Sequence, residues 1–296
     1  MSEPVIMNAP PLPALLAGSW GFPVCWLLAT LACSLALIKQ AYVFSLSYGV
    51  AMAAIGASIL ASSASVSASS FALTSHAALV TAYGVRLFGF LLWREVGQDS
   101  GWGRRLAALD KTPRSKRVPI ILSTGLFYAL MASPLLFHFQ TSMTQAMPLP
   151  TVSRIGNVVA AIGLAIEALA DQSKSLFKIS LRNSGQADRN YVGGPFRFSR
   201  HANYLGEIIF WVGATLAGLP AIVAPGTALA TRALRLLSMA LGCYGIVFIM
   251  LSATARLEKK QAAAAASKWP VLRADGELDS YDDYVARSGK LLPKFW

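Results

Sequence analysis

Seven apolar stretches, each close to the length that a helix needs to cross a bilayer, constrain the fold of this chain most strongly. They lie near residues 15–38, 41–62, 71–93, 119–138, 153–170, 205–225 and 230–252. A helix needs about 20 apolar residues to span the hydrocarbon core. Only 14% of the residues are charged, whereas soluble domains carry roughly 25%. The sequence therefore predicts a single domain over 1–296, folded as an all-α, multi-pass membrane helical bundle of about seven transmembrane helices.

The positive charge is concentrated between particular spans. Of 26 Lys and Arg residues, seven lie in 94–117, six in 171–200 and eight in 253–296, and the segments 63–70, 139–152 and 226–231 carry no charged residue. Because cytosolic loops of membrane proteins are enriched in Lys and Arg, we expect the basic segments and the C-terminus in the cytosol and the N-terminus outside. Attraction to anionic lipid would explain part of this charge. Membrane lipids are expected partners, and nucleic acid is not.

A polar stripe leaves the fifth span on one helical face. Glu167, Asp171, Lys174 and Lys178 are spaced at i, i+4, i+7 and i+11, which places them on the same side of a helix. A functional site and a solvated, salt-paired helix end both produce this pattern. For Glu167 and Lys174 the two interpretations stay open, whereas the residues that follow favour function for Asp171 and Lys178.

A glycine turn and a group of polar residues lead into the sixth span. The Gly193-Gly194 pair permits close backbone approach or positive φ. The N-terminus of a helix offers free N–H groups and a positive dipole end, which suit phosphate. Arginines such as Arg197 and Arg200 can bind phosphate oxygens with two parallel hydrogen bonds. Asn203 can both donate to and accept from an amide such as the nicotinamide carboxamide.

Glu207 follows at the edge of the bilayer. An ionised carboxylate there is costly unless it is paired, and we expect its partner to be Arg200 or a residue of the C-terminal tail. Lipid anchoring alone would explain Arg197 and Arg200, but not the whole group of polar residues.

The third span carries a second candidate site. Tyr83 and Arg86 lie three residues apart on one face of an otherwise apolar helix. An arginine within a span is rare and usually faces the bundle interior. A nearby cation favours the phenolate form of a buried tyrosine, so Tyr83 is a candidate proton donor. The alternative is a packed tyrosine beside a structural arginine.

The remaining reactive residues indicate no metal site. The three cysteines lie in apolar spans without a Cys-x-x-Cys pair, and the three histidines are far apart in sequence. The tail over 281–293 contains tyrosines and basic residues. It is predicted either to fold back as a lid over the cytosolic mouth or to anchor an amphipathic helix at the membrane interface.

The order of these residues resembles the C-terminal domain of steroid 5α-reductase-like proteins, and is most similar to a broad, largely uncharacterised branch. The resemblance rests on Asp171, Lys178, Gly193-Gly194-x-Phe196, Ala202-Asn203-Tyr204-Leu-Gly-Glu207 and a Tyr-x-x-Tyr…Leu-Pro tail. It covers roughly 150–296, and Tyr83-x-x-Arg86 extends it into the third span.

The resemblance implies a seven-helix reductase that binds NADPH in a cytosol-facing cavity and reduces a C=C bond conjugated to a carbonyl in a lipophilic substrate. Residues 1–150 would form the substrate side, and 151–296 would carry the cofactor loop and the tail. Tyr83 and Arg86 would be catalytic. The residues expected to bind the cofactor are Asp171, Lys174, Lys178, Arg182, Arg189, Arg197, Arg200, His201, Asn203, Tyr204 and Glu207.

Two departures separate this chain from the family pattern. The steroid reductases carry a glutamate in the second span beside the catalytic tyrosine, whereas 41–62 contains no acidic residue, which puts 3-oxosteroid specificity in doubt. Arg256 and Glu258 stand roughly where the family has an arginine and a tyrosine. Two alternatives follow: an S-adenosylmethionine-dependent methyltransferase of the isoprenylcysteine type, and a non-catalytic lipid-binding relative. The polyphosphate of NADPH matches the basic residues better than a zwitterionic cofactor does.

Overall fold

The computed structural model describes residues 12–19, 21–63, 71–98, 110–272 and 278–295. Helices dominate this part of the chain. They are α1 (Leu12–Ala17), α2 (Gly21–Cys33), α3 (Leu46–Ser63), α4 (Phe71–Trp93), α5 (Val118–Thr144), α6 (Pro150–Asn183), α7 (Ala202–Gly218), α8 (Leu229–Ala263), α9 (Ala265–Lys268) and α10 (Tyr281–Arg287). Two short strands, β1 (Val271–Leu272) and β2 (Leu278–Asp279), pair antiparallel.

Six of the helices are long and apolar enough to cross a membrane, by their length and composition: α3 to α8, some with short extensions. The first predicted span corresponds to a shorter apolar helical segment, Gly21–Leu37, which at 1.5 Å per residue lies at the lower limit for a crossing. The all-α, multi-pass membrane bundle predicted from the sequence is therefore confirmed.

Several helix ends differ from the predicted spans. The second span was expected to begin at residue 41, but Gln40–Phe44 forms a 3-10 turn and α3 begins at Leu46. Side-chain contacts fix this turn, since the Tyr42 hydroxyl donates to Glu95 at 2.9 Å. The fifth and seventh spans continue well past the apolar stretches as α6 and α8, because their polar extensions contain no helix breaker.

The chain forms two compact units. Unit 1 comprises Met1–Arg154 and Thr215–Gly242, and unit 2 comprises Ile155–Ala214 and Cys243–Trp296. The divisions fall within α6, α7 and α8. The prediction of one domain over 1–296 stays a prediction.

In unit 1, glycines allow α3 and α4 to pack with their backbones in contact. A Cβ atom on Gly84 would lie 2.2 Å from the backbone nitrogen of Ala53, and one on Gly49 would lie 2.6 Å from that of Phe88. Small residues commonly permit such close approach between membrane helices. Tyr48 and Tyr83, which directly precede the two glycines, are held on adjoining helices as a result.

In unit 2, α6 packs against α7 in the same way. A Cβ atom on Gly206 would lie 2.5 Å from the backbone nitrogen of Glu167. Gly206 belongs to the Asn-Tyr-Leu-Gly-Glu sequence that precedes and opens the sixth span. Its role in the fold is close helix packing, which places the start of α7 beside the polar stripe of α6.

Candidate functional site

A buried ion network lies at the start of α7. The Arg200 guanidinium binds the Glu258 carboxylate through two hydrogen bonds, Nη2 to Oε2 at 2.8 Å and Nε to Oε1 at 3.0 Å. The His201 ring lies 2.8 Å from the same carboxylate, Nε2 to Oε1. Arg200 and His201 are both buried. Glu258 thus holds two of the residues that the sequence assigned to the cofactor.

Burial controls the charge of His201. Removal of the ring from water lowers its pKa, and the hydrogen bond to Glu258 opposes that shift without overcoming it. The neutral ring donates its Nε2–H to Glu258. Its face stacks on Tyr204, with ring centroids 5.9 Å apart and an interplanar angle of 12°.

The C-terminal tail folds back along the segment that precedes α7. The backbone N–H of Arg200 donates to the Gly289 carbonyl at 2.9 Å, and that of Gly289 donates to the Phe198 carbonyl at 2.9 Å. The Ser199 hydroxyl donates to the Leu291 carbonyl at 2.7 Å. These bonds form a short parallel ladder that ties the end of the chain to the loop.

Helix α10 adds a second attachment. A capping box between Ser280 and Asp283 begins the helix. The Tyr284 hydroxyl then donates to the Phe196 carbonyl at 2.8 Å. Tyr284 is buried, and burial raises the pKa of its phenol, so it acts as a neutral donor. Of the two arrangements expected for the tail, the structure places this part of it over the 196–200 loop.

A small pocket opens beside this attachment, with a void of about 260 Å³ including its open mouth. Its lining combines cations, amides and aromatic rings: Lys174, Asn190, Tyr191, Phe196, Arg200, Gln261 and Tyr284. The Asn190 Nδ2 is buried and has no hydrogen-bond partner in the part of the chain that the structure describes. The Lys174 ammonium lies 5.1 Å from the centroid of the Phe196 ring. The pocket thus holds two cations, an unused amide donor and aromatic walls.

Other predicted cofactor residues make internal contacts. Lys178 pairs with Asp188 and also donates to the Arg189 carbonyl. The Asn203 amide Nδ2 donates to Asp171 Oδ1 at 3.3 Å. Asp171 and Asn203, which come from different helices, are therefore brought together as the motif suggested. This contact uses an N–H group of the Asn203 amide, which the sequence analysis assigned to the nicotinamide carboxamide.

The remaining predicted residues differ in exposure. Arg182, Arg189 and Arg197 are exposed, and the Arg197 guanidinium lies 5.9 Å from the Phe198 ring centroid. Glu207 is buried. The glycine turn at Gly193-Gly194 contains the positive φ that the sequence allowed, since Gly194 has φ of +52°. Within the predicted set, Arg200 and His201 are thus buried against Glu258, while these three arginines are exposed.

In unit 1, the predicted proton donor has a partner that the sequence did not indicate. The Tyr83 hydroxyl donates to the Tyr48 hydroxyl at 2.9 Å, and both rings are buried. Tyr48 also stacks on Tyr128, with centroids 5.1 Å apart and an interplanar angle of 18°. The Tyr128 hydroxyl donates to the Val43 carbonyl at 2.7 Å.

Arg86, the second predicted catalytic residue, lies against an aromatic ring. Its guanidinium is 5.3 Å from the centroid of Phe90, and that of Arg94 is 5.6 Å from the same ring. The same ring thus binds two cations through its π-face. This contact gives Arg86 a structural role in addition to the catalytic role predicted for it.

Sequence reasoning missed three contributors to these sites. Glu258 was noted only as an unmatched position, although an acidic residue in a strongly basic segment signals an ion pair. Tyr48 lies among several hydroxyl residues of the second span, and nothing in the sequence separates it from the others. Asn190 lies in the loop before the glycine turn and carries no local signal. Among the described residues, no group of three or more His, Cys, Asp and Glu side chains is placed to hold a metal.

The fold and these sites define a multi-pass helical membrane protein with a buried charge network at one helix start. The chain belongs to a protein family of unknown function, DUF1295, whose family model matches residues 34–265. No curated protein matches the chain, and neither does any solved structure.

Proposed function

We propose that the protein is a membrane-embedded reductase that uses NADPH to reduce a C=C bond conjugated to a carbonyl in a lipophilic substrate. The substrate would be of the steroid or sterol, polyprenol or enoyl type. The proposal combines the resemblance to steroid 5α-reductase-like proteins with the charge and shape of the pocket in unit 2.

The pocket's donor set carries the proposal. Lys174 and Arg200 line one small cavity, where Lys174 adds a cation beside an arginine whose charge Glu258 balances. Asn190 brings a buried amide N–H group that has no hydrogen-bond partner among the described residues. A buried donor without a partner costs about 1–3 kcal/mol, so an acceptor that reaches it is favoured. Phosphate oxygens are such acceptors, and Tyr191 and Phe196 offer flat apolar surfaces for a ribose or a base.

The donor set suits a phosphate group, but the pocket as closed in this structure has no room for one. Its enclosed volume is about 10 Å³, roughly the space of a single water molecule. The tail closes one side through Tyr284. NADPH would therefore bind with a phosphate between Lys174 and Asn190, after the tail and the 190–198 loop had moved apart.

When bound, NADPH supplies a hydride for the β-carbon of the substrate. Tyr83 is proposed to polarise or protonate the carbonyl oxygen as negative charge develops there. The Tyr83 side chain is fully buried. A substrate would reach its hydroxyl only by displacing part of the surrounding packing.

The orientation follows from the charge of the segments between spans. We propose that the C-terminus and the cofactor loop face the cytosol and that the N-terminus lies outside. The membrane would be the endoplasmic reticulum in a eukaryote and the inner membrane in a bacterium.

The ion pairs of unit 2 favour a second candidate, a non-catalytic lipid-binding relative. Arg200, His201 and Lys178 all contact acidic side chains, as they would in a purely structural loop. An S-adenosylmethionine-dependent methyltransferase receives less support, because a sulfonium cation would meet the two cations of the pocket.

Ligand-induced stabilisation separates these candidates. A ligand that binds only the folded protein at 100 times its Kd stabilises it by about 2.7 kcal/mol. We expect NADPH, and not S-adenosylmethionine, to raise the melting temperature of the purified protein in detergent. Oxidation of NADPH in the presence of enone lipids would then identify the substrate.

A matched pair of lysine variants tests the site. Lys174→Gln removes a cation of the pocket and is expected to reduce the shift caused by NADPH. Lys259→Gln removes an exposed lysine of α8 and is expected to leave the shift unchanged. A shift with S-adenosylmethionine alone would support the methyltransferase, and no shift with either compound would support the non-catalytic relative.

A further inference from the structure

We infer that Tyr48 is a positioning residue for the proposed reaction, which hydrogen-bonds the Tyr83 hydroxyl and stabilises the phenolate left when Tyr83 gives up its proton. The inference rests on the proposed function for the role of Tyr83 as the proton donor. Residues 41–62 contain no carboxylate, so the second span lacks the glutamate that the resemblance predicts beside Tyr83. The inference assigns a partner for Tyr83 in that span, Tyr48.

The geometry requires both helices. The two hydroxyl oxygens lie 2.9 Å apart, although they belong to different helices. Gly49 and Gly84, each next to one of the tyrosines, permit this distance because a side chain at either position would collide with the facing backbone. The close approach of α3 and α4 thus serves the contact between the hydroxyls as well as the packing.

The Tyr48 ring is fixed from its other face. It stacks on Tyr128, whose own hydroxyl donates to the Val43 carbonyl. A ring held on one face by stacking and at its tip by a hydrogen bond has little freedom to leave Tyr83. The Tyr128 ring therefore orients the Tyr48 ring by stacking on it, while the Tyr128 hydroxyl donates to the backbone carbonyl of Val43.

The proton inventory gives Tyr48 its role. A phenol hydroxyl has one donor and can also accept, so either tyrosine can donate across the 2.9 Å contact between the two hydroxyls. To protonate a substrate, Tyr83 must direct its proton to the carbonyl oxygen. The Tyr48 hydroxyl then donates to Tyr83, and the bond between the two tyrosines is kept.

NADPH, when bound, would supply the hydride for the β-carbon. The C=C electron pair would form a double bond between the α-carbon and the carbonyl carbon, and the carbonyl oxygen would take the Tyr83 proton to give an enol. The Tyr83 phenolate would accept a hydrogen bond from Tyr48. Protonation of the enol at its α-carbon by a hydronium ion from the solvent, with return of the hydroxyl proton to Tyr83, would give the saturated carbonyl compound. A buried phenolate without a donor would be costly, and Tyr48 supplies that donor.

A titration at position 83 tests the inference without any substrate. A polyfluorinated tyrosine, whose phenol is more acidic than that of tyrosine, is placed at position 83 and followed by ¹⁹F NMR against pH in detergent. Hydrogen bonds to charged groups contribute about 1.5–3 kcal/mol, so Tyr48→Phe should move the titration midpoint up by about 1–2 pH units. Tyr128→Phe is the matched control, because it removes a hydroxyl of the same cluster whose proton goes to the Val43 carbonyl; its midpoint should stay with that of the wild type.

Kinetics separate this inference from the proposed function. NADPH oxidation is followed with cholest-4-en-3-one, a polyprenal and a long-chain enoyl thioester as probes. If a probe is reduced, Tyr48→Phe should lower kcat at least tenfold with little change in KM. If no probe is reduced, the proposed function fails while the ¹⁹F titration still decides the hydrogen bond. A midpoint that is unchanged in Tyr48→Phe, or equally raised in Tyr128→Phe, would overturn the inference.

Discussion

The polar pairs buried within the spans of unit 1 differ in charge from the buried network of unit 2. The pairs within the spans are neutral: Tyr83 with Tyr48, and His76 with His138, whose Nδ1 atoms lie 3.2 Å apart. A buried charged residue of unit 1, Arg117, pairs with Asp110 at 2.7 Å and precedes α5. In unit 2 the buried group carries charge, because Arg200 faces the Glu258 carboxylate. The difference matches the position of each group along its helices. The neutral pairs lie within spans, whereas Arg200 precedes α7 and Glu258 follows the apolar part of α8.

The contrast indicates which kind of chemistry suits each unit. Within a span, a neutral pair suits an acid such as Tyr83, because the second hydroxyl can donate to the phenolate that proton transfer leaves. An ion network near the end of a span can accept a further charged ligand, since the end of a span borders the aqueous phase. The proposed function assigns proton transfer to unit 1 and anion binding to unit 2 on this basis.

The largest expected effect comes from breaking the ion network. Glu258→Gln should destabilise the protein by about 3 kcal/mol, at the lower end of the range for removing one partner of a buried pair, because Glu258 keeps some exposure to solvent. Arg200 would stay buried without its counter-charge, because its remaining acceptors are neutral: the new amide oxygen, the Ser288 and Val285 carbonyls and the Ser288 hydroxyl. Thermal or denaturant unfolding in detergent measures the loss.

An exposed pair in the same unit is the control for that variant. Lys178 and Asp188 form an ion pair in which Asp188 is largely exposed, so Asp188→Asn should cost no more than about 1 kcal/mol. If both Glu258→Gln and Asp188→Asn lowered the free energy of unfolding equally, the Arg200 network would contribute no more to stability than an exposed ion pair does.

The neutral histidine pair of unit 1 should have a smaller effect. His138→Phe leaves the His76 Nδ1 buried without its partner and should cost about 1–3 kcal/mol. Replacing both rings with Phe removes both polar groups and should cost less than the sum of the single changes. Unfolding midpoints of the three variants measure this coupling. Additive losses would show that the two histidines do not interact.

The smallest expected effect is a dependence of stability on pH through His201. Burial lowers the pKa of His201 in the folded protein. At pH values between this lowered pKa and the ordinary pKa of about 6.5, the unfolded chain therefore binds more protons than the folded one. Stability then falls as the pH drops below about 6.5, by at most about 1.4 kcal/mol per pH unit. His201→Phe, which can keep the stacking on Tyr204, should flatten this part of the stability curve. If stability depended on pH equally steeply in this variant and in the wild type, groups other than His201 would cause the dependence.

Much of the fold could be predicted from the sequence, because hydropathy fixes which segments cross a bilayer. Six of the predicted spans appear as long apolar helices and the first as a shorter one. The spacing from Glu167 to Lys178 correctly placed these residues on one continuous helix. Helix ends were less certain, since α8 continues past the apolar stretch to Ala263 and so carries Glu258 to Arg200.

The partners within the sites could not be predicted, because they depend on contacts between distant segments. Arg200 was expected to bind phosphate, and its contact with Glu258, 58 residues away, has no local signal. Tyr48 and Tyr83 are 35 residues apart, and only the packing at Gly49 and Gly84 brings them together. The cofactor and the catalytic roles are not tested by the fold and stay predictions.

Equilibrium binding of NADPH tests the central claim, that the pocket of Lys174 and Asn190 holds the phosphate of a reduced dinucleotide. The fluorescence of NADPH is titrated with the purified protein in detergent, for the wild type, Lys174→Gln and Lys259→Gln. We expect saturable binding that is at least tenfold weaker in Lys174→Gln, a loss of about 1.4 kcal/mol, and unchanged in Lys259→Gln. Absence of saturable binding to the wild type, or equal affinity in all three proteins, would contradict the claim.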